Sequence, residues 1–184
     1  MIGALLAGGE GRRLGRTSKA AASLNGRPLI SYPLEALSEV CDRVAVVCKR
    51  STELPELEGA ERWDEPDAPR HPLTGIIHAL ETAGEPVLVC AADMPYVTAD
   101  ACRSLLTAPH KAQAVIAAAD GRLQPTFGVY APEILEALKA APENAPLTET
   151  VEQLTPTRVA FPAQLVKSIN TKEDLQEAER AGAQ

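Results

Sequence analysis

Aromatic side chains make up only 3% of the 184 residues. Tyr32, Trp63, Tyr96, Phe127, Tyr130 and Phe161 are too few and too scattered to form the stacking platforms that hold single-stranded nucleic acid. Positive charge is also short. With 18 Lys and Arg against 25 Asp and Glu the net charge is −7, which argues against nucleic-acid or membrane-surface binding. Long hydrophobic runs are missing: the stretch from Ile2 to Ala7 stops at two glycines and is followed by Arg12 and Arg13. It is too short and wrongly flanked for a signal peptide or a membrane span, so a cytoplasmic location is expected. Cys41, Cys48, Cys90 and Cys102 show no C-x-x-C spacing, so they read as buried, reduced thiols rather than a zinc site or redox pair. His71, His78 and His110 do not cluster and read as surface or half-buried side chains rather than bases.

What is present is ordinary globular material, 45% hydrophobic and 23% charged, and enough of it to pack one domain. Short aliphatic runs alternate with segments of helical period, the pattern of a parallel sheet covered on both faces. Strands are expected at 2–6, 43–48, 86–91, 114–119, 126–130, 158–161 and 165–169. Helices are expected at 28–40, 72–83 and 132–141, each opening on a proline, and after Thr171, which can cap a first turn loaded by Glu173 and Asp174. Pro33 is a candidate kink, and 53–71 reads as a long irregular connection. Asp120-Gly121 marks a turn and a short antiparallel excursion.

The segment LAGGEGRRLGRTSK (6–19) directly follows the first strand. Gly8, Gly9, Gly11 and Gly15 let backbone N–H groups approach an anion with no Cβ in the way. From Gly11 to Leu34 there is no acid, but Arg12, Arg13, Arg16, Lys19 and Arg27 are present. A basic island in an acidic chain points to a small polyanion. The P-loop pattern fails because Arg16 follows Gly15, and the dinucleotide fingerprint G-x-G-x-x-G misses by one residue. An NADP-binding module therefore stays open, with Lys49 and Arg50 suited to a 2′-phosphate.

LAGGEGRRLGRTSKAAASLNGRPLI resembles the signature of the MobA-like nucleotidyltransferases, L-A-G-G-x-x-x-R-M-G-x-x-K followed by G-[KR]-P-L. Four more blocks follow in that family's order: HPLTGI (71–76), CAADMP (90–95), LQPTFGVY (123–130) and SINTKEDL (168–175). Three positions depart from the pattern: Ser18 stands for an Asp, Ser168 for an Asn and His71 for a Gly. The resemblance implies a three-layer, doubly wound, mostly parallel α/β sheet that transfers GMP from GTP to molybdenum-bearing molybdopterin and releases pyrophosphate, with Mg²⁺. It implies that Leu6, Ala7, Gly8, Gly9, Gly11 and Arg12 cradle the nucleotide and that Lys19 and Arg13 neutralise its phosphates.

By the same resemblance Asp93 holds the metal, and Asp64, eight residues before Pro72, contacts the guanosine. Gly75, Gln124 and Asn170 border the acceptor. Other molybdenum-cofactor biosynthesis proteins and apo-molybdoenzymes are the implied partners. CTP in place of GTP, or a sugar or alcohol phosphate acceptor, remains an open alternative.

Overall fold

The computed structural model describes residues 1–8, 22–109, 112–142 and 145–182. Gly9, Gly11, Arg12, Arg13 and Lys19, and with them most of the expected phosphate cradle, lie outside the described residues, as does His110. The strands are β1 (Ile2–Leu6), β2 (Ser23–Leu24), β3 (Arg27–Pro28), β4 (Arg43–Lys49), β5 (Ala60–Glu65), β6 (Val87–Ala91), β7 (Ala114–Ala119), β8 (Arg122–Tyr130) and β9 (Thr157–Ala160). The helices are α1 (Ser31–Ser38), α2 (Pro72–Ala83), α3 (Ala99–Thr107), α4 (Leu135–Lys139), α5 (Leu147–Gln153) and α6 (Lys172–Gly182).

Seven strands form one sheet in the order β5-β4-β1-β6-β8-β7-β9, and β2 with β3 forms a separate hairpin. β1 pairs parallel with both β4 and β6, β5 continues the parallel side next to β4, and β8 runs antiparallel between β6 and β7. The chain thus leaves β1 to one side, builds β4 and β5, and crosses back to β6 on the other side. This three-layer α/β sheet with an antiparallel excursion is the architecture expected from the sequence. β1, β4 and β6 are buried almost throughout because both faces are covered, which is why they read as continuous aliphatic runs. One face packs Leu5, Val46, Leu88 and Phe127 with Leu37 of α1 and Leu105 of α3. The other packs Ala4, Val47 and Val89 with Ile76 and Leu80 of α2 and Leu138 of α4. Cys48, Cys90 and Cys102 are buried and Cys41 is half-buried, all as free thiols, and burial raises the Cys102 thiol to about 12.

Local chemistry accounts for several boundaries. α2 opens on Pro72 with His71 as its cap, Nδ1 accepting from the Leu73 N–H at 3.2 Å, and ends on Gly84 in the left-handed region at φ 63°. α1 starts at Ser31 rather than 28, because 27–28 belongs to β3; Pro33 falls in its first turn, where no amide is needed, and makes no kink. Asp120 and Gly121, at φ 50° and 75°, close the β7–β8 hairpin. α6 is closed by a reciprocal cap in which Asp174 N–H donates to Thr171 Oγ1 and Asp174 Oδ2 accepts from the Asn170 and Thr171 amides.

Two expectations are corrected. Residues 53–71 are not wholly irregular, since they contain β5, an edge strand whose AERWDE sequence carries almost no apolar period. Residues 165–169 are not a strand. Their buried positions, Val166 and Ile169, are three apart rather than two, and the chain there folds through turn bonds from Leu165 N to Pro162 O and from Lys167 N to Gln164 O. α3, capped by Thr98, and α5 are additional to the expected helices, and the helix expected at 132–141 is a 3-10 turn followed by α4.

Candidate active site

A cavity of about 300 Å³ opens where the carboxyl ends of β1, β4, β5 and β6 meet the start of α2. Leu6, Ala7 and Gly8 of the β1 end, Gly75 of α2 and Asp93 after β6 all line it, so five of the expected site residues share one wall. Short backbone bonds hold these strand ends in register: Ala7 N–H donates to Val47 O at 2.8 Å and Ala92 N–H to Leu6 O at 2.9 Å. Asp93 projects just beyond β6, and its carbonyl accepts from Ile169 N–H at 2.8 Å, which draws the segment carrying Ser168 and Asn170 to the mouth of the cavity. Thr126 reaches the cavity from β8, because β7 and β8 shift register between Ile116 and Ala117 and leave Pro125 to Phe127 as extra residues opposite that step. The Tyr130 hydroxyl braces the bulge by donating to Pro125 O at 2.5 Å.

Asp64 lies elsewhere. Successive residues of a strand point to opposite faces, so on β5 Asp64 and Glu65 diverge. Asp64 accepts from Arg62 Nε at 2.8 Å, stands 3.7 Å from Arg50 Nε and borders a separate cleft with Arg50, Asp67 and His78, which Glu65 also touches. The Arg62 hydrogen bond holds its carboxyl below the usual range. Glu65 is the acid in the main cavity. Its register partner Lys49 lies beside it on β4, with Nζ to Oε1 at 3.4 Å and side chains 7% and 5% exposed.

Two glycines make room for this carboxylate. A Cβ on Gly8 would stand 2.5 Å from Glu65 Oε1, and one on Gly75 would stand 3.1 Å from Oε2. Oε2 is buried and has no hydrogen-bond partner among the described residues. Burial pushes the carboxyl upward, against the pull of Lys49 and His78.

Gln124 and Asn170 meet in a second, more polar cleft of about 710 Å³, together with Arg122 and Lys167. Ser168 lines both hollows and makes them neighbours. Among the described residues no group of three or more His, Cys, Asp or Glu side chains could hold a metal. Asp93 offers a single carboxylate in the manner of a Mg²⁺ site completed by substrate phosphates and water. Glu65 and Arg70 are cavity residues to which the sequence assigns no role, Thr126 lies in the LQPTFGVY block with no role assigned, and Lys49 reads from the sequence only as suited to a 2′-phosphate.

A cavity at the carboxyl ends of parallel strands, at the point where the winding reverses, is where open α/β sheets hold nucleotides. Fold and site together define an open α/β protein with a nucleotide-type crevice at the carboxyl edge of its sheet. Residues 3–158 match the MobA-like NTP transferase domain, and the chain belongs to that family. It is 33% identical to a molybdenum cofactor guanylyltransferase of Cereibacter sphaeroides over 192 residues, covering 97% of this chain and 95% of the relative. A protein of the same name from Rhizobium johnstonii is 31% identical, with 98% and 92% covered. Among solved structures, the fold is similar to molybdopterin-guanine dinucleotide biosynthesis protein A from Archaeoglobus fulgidus, with a TM-score of 0.77 and 24% identity over 100% of this chain and 99% of that one. It is also similar to 2-C-methyl-D-erythritol 4-phosphate cytidylyltransferase from Thermus thermophilus, with a TM-score of 0.74 and 23% identity over 98% of both chains.

Proposed function

We propose that the protein transfers GMP from GTP to the terminal phosphate of molybdopterin, forming the guanine dinucleotide of the molybdenum cofactor and releasing pyrophosphate. The relatives named molybdenum cofactor guanylyltransferase, similar over nearly the whole chain, support the reaction. The base choice rests on one observation: a buried carboxylate in the cavity wall with an oxygen that lacks a hydrogen-bond partner among the described residues. Guanine offers two adjacent N–H donors, on N1 and the 2-amino group, which suit a carboxylate. Cytosine pairs its single amino donor with an acceptor, N3, which a carboxylate repels. In this reading Glu65, not Asp64, meets the base.

The reaction joins two phosphates, so the barrier is one of positioning and charge rather than of nucleophile activation. A phosphate nucleophile is already ionised at neutral pH and needs no base, and His71, with Nδ1 accepting the α2 cap bond, is occupied structurally. The backbone of Gly8 to Gly11 would hold the triphosphate, and Arg13 and Lys19 would neutralise it and the leaving pyrophosphate. Asp93 would hold Mg²⁺, which when bound supplies charge neutralisation between the phosphates. Gly75, Gln124 and Asn170 would receive the acceptor, along the cleft that joins the cavity at Ser168. Such a reaction belongs in the cytoplasm, where nucleoside triphosphates are available.

The test is incubation of the protein with Mg²⁺, molybdopterin and GTP, CTP or ATP in turn, with pyrophosphate measured and the dinucleotide weighed by mass spectrometry. GTP should be used far better than the other two. Equal use of CTP, or no pyrophosphate with any of them, overturns the assignment.

A further inference from the structure

Lys49, read from the sequence only as a residue suited to a 2′-phosphate, is instead one of the most buried charges among the described residues. Its side chain is 7% exposed, and its ammonium meets three acceptors: Pro66 O, Pro69 O at 3.2 Å and Glu65 Oε1 at 3.4 Å. An ammonium has three protons to donate, so this set is complete. Two of the acceptors are backbone carbonyls of the segment that runs from β5 to α2. That segment brings Arg70 and His71 to the rim of the cavity, and Thr74 Oγ1 of α2 also donates to Pro69 O, at 3.1 Å. The third acceptor belongs to the carboxylate whose other oxygen is unpartnered among the described residues.

We propose that Lys49 is a positioning residue for nucleotide recognition: it keeps Glu65 a carboxylate in the cavity wall and, through the Pro66 and Pro69 carbonyls, ties down the segment beside it. The inference rests on the reading that Glu65 meets the base. Burial alone drives an acid toward its neutral form, and a protonated Glu65 would be a poor acceptor for two donors. Among the described residues, Lys49 from β4 and His78 from α2 act on Glu65, and Arg70, His71 and Asp93 line the same cavity. Leu6 and Gly8 at the end of β1 contribute none, and Asp64 on the same strand faces away. Among the described residues, Lys49 is the one within ion-pair distance, at 3.4 Å. Its carbonyl partners also explain why a lysine rather than an arginine stands here: a compact ammonium serves three convergent oxygens, which a planar guanidinium does not.

The test uses Lys49→Gln in the full chain, which keeps N–H donors for the carbonyls but removes the charge. Dissociation constants for Mg·GTP and Mg·ITP, which lacks the 2-amino group, are measured from pH 6 to pH 9, with kcat for GTP alongside. Wild type should prefer GTP over ITP at all these pH values. In Lys49→Gln, GTP should bind about 10-fold or more weakly at pH 7, as for loss of a hydrogen bond to a charged acceptor. Its kcat should change much less, the preference over ITP should shrink, and both should recover as the pH rises and Glu65 ionises. In a Glu65→Gln background the same substitution should add little.

A preference for GTP that persists unchanged in Lys49→Gln across the pH range overturns the role of Lys49 and leaves the Glu65 reading intact. A wild type indifferent to the 2-amino group overturns the Glu65 reading itself. If Lys49→Gln does not fold, Lys49→Gln/Glu65→Gln decides the matter. Removing both charges should restore folding, because the penalty comes from a buried charge left alone; a double variant equally unfolded makes Lys49 a backbone tether only and overturns the proposal.

Discussion

Alanine at position 8 probes the contact on which the cavity wall depends. The added Cβ would stand 2.5 Å from Glu65 Oε1, against roughly 3.3 Å or more for an ordinary C···O contact. Glu65 has little room to withdraw. Its side chain is only 5% exposed, and Lys49 stands 3.4 Å from Oε1. Overpacking of this kind costs about 1–3 kcal/mol. For a domain of this length that corresponds to a melting temperature lower by roughly 2–12 °C.

The assay is thermal and urea unfolding of four proteins: wild type, Gly8→Ala, Glu65→Ala and the double variant. Because Glu65→Ala removes the atoms that collide, Gly8→Ala should cost almost nothing in that background, a non-additivity of more than about 0.5 kcal/mol. A Gly8→Ala protein that melts within about 1 °C of wild type, or one whose loss is the same in both backgrounds, refutes the wedge.

Gly128→Ala should also destabilise, although alanine is the better strand residue, because its Cβ would lie 2.6 Å from Ile116 Cδ1 and 2.7 Å from Val115 O; unchanged urea unfolding would show that β7 yields there. Asp93→Ala should lower the rate of pyrophosphate release about 10²-fold or more on the proposed reaction, and activity within a few-fold of wild type would remove Asp93 from the metal site. Asp174→Ala should cost about 1 kcal/mol through loss of the α6 cap, read as a lower melting temperature. The Asn170 amide bond, foremost, and those of Thr171 hold the Asp174 carboxyl below its ordinary value. Its contribution is therefore present at neutral pH and lost as acid is added through that lowered value, so the gap between wild type and Asp174→Ala should close in strong acid. A gap that is constant with pH would separate the cap from the charge.

Much of the site was legible in one dimension because its residues sit at the ends of strands that are themselves legible. β1 and β6 are buried on both faces, and their aliphatic runs end where the chain must emerge, so Leu6 to Gly8 and Asp93 could be placed at the carboxyl edge before the sheet order was known. α2 announced itself through Pro72 and a clean apolar period, which put Gly75 in its first turns. The β2–β3 hairpin carried a comparable signal that the reading passed over, Asn25-Gly26, whose φ values of 49° and 78° suit a two-residue turn. β5 offered no such signal. Its place in the sheet comes from pairing with β4, and the burial of Glu65 from lying against Gly8 and Gly75, not from apolar residues of its own.

Asp64 and Glu65 show where pattern stops and packing takes over. Spacing from Pro72 selects Asp64, and both residues are acids, so nothing local separates them. Which of the two faces the cavity depends on the pleat of an edge strand, and that pleat is set by the pairing of Lys49 with Glu65 across two strands. Composition and motif order sufficed for the class of fold, the family and the edge of the sheet that carries the site, since those follow from periodicity and from residues adjacent along the chain. The buried Lys49–Glu65 pair, the bulge that delivers Thr126 and the joining of two hollows at Ser168 follow from contacts between distant segments, which exist only once the sheet has formed.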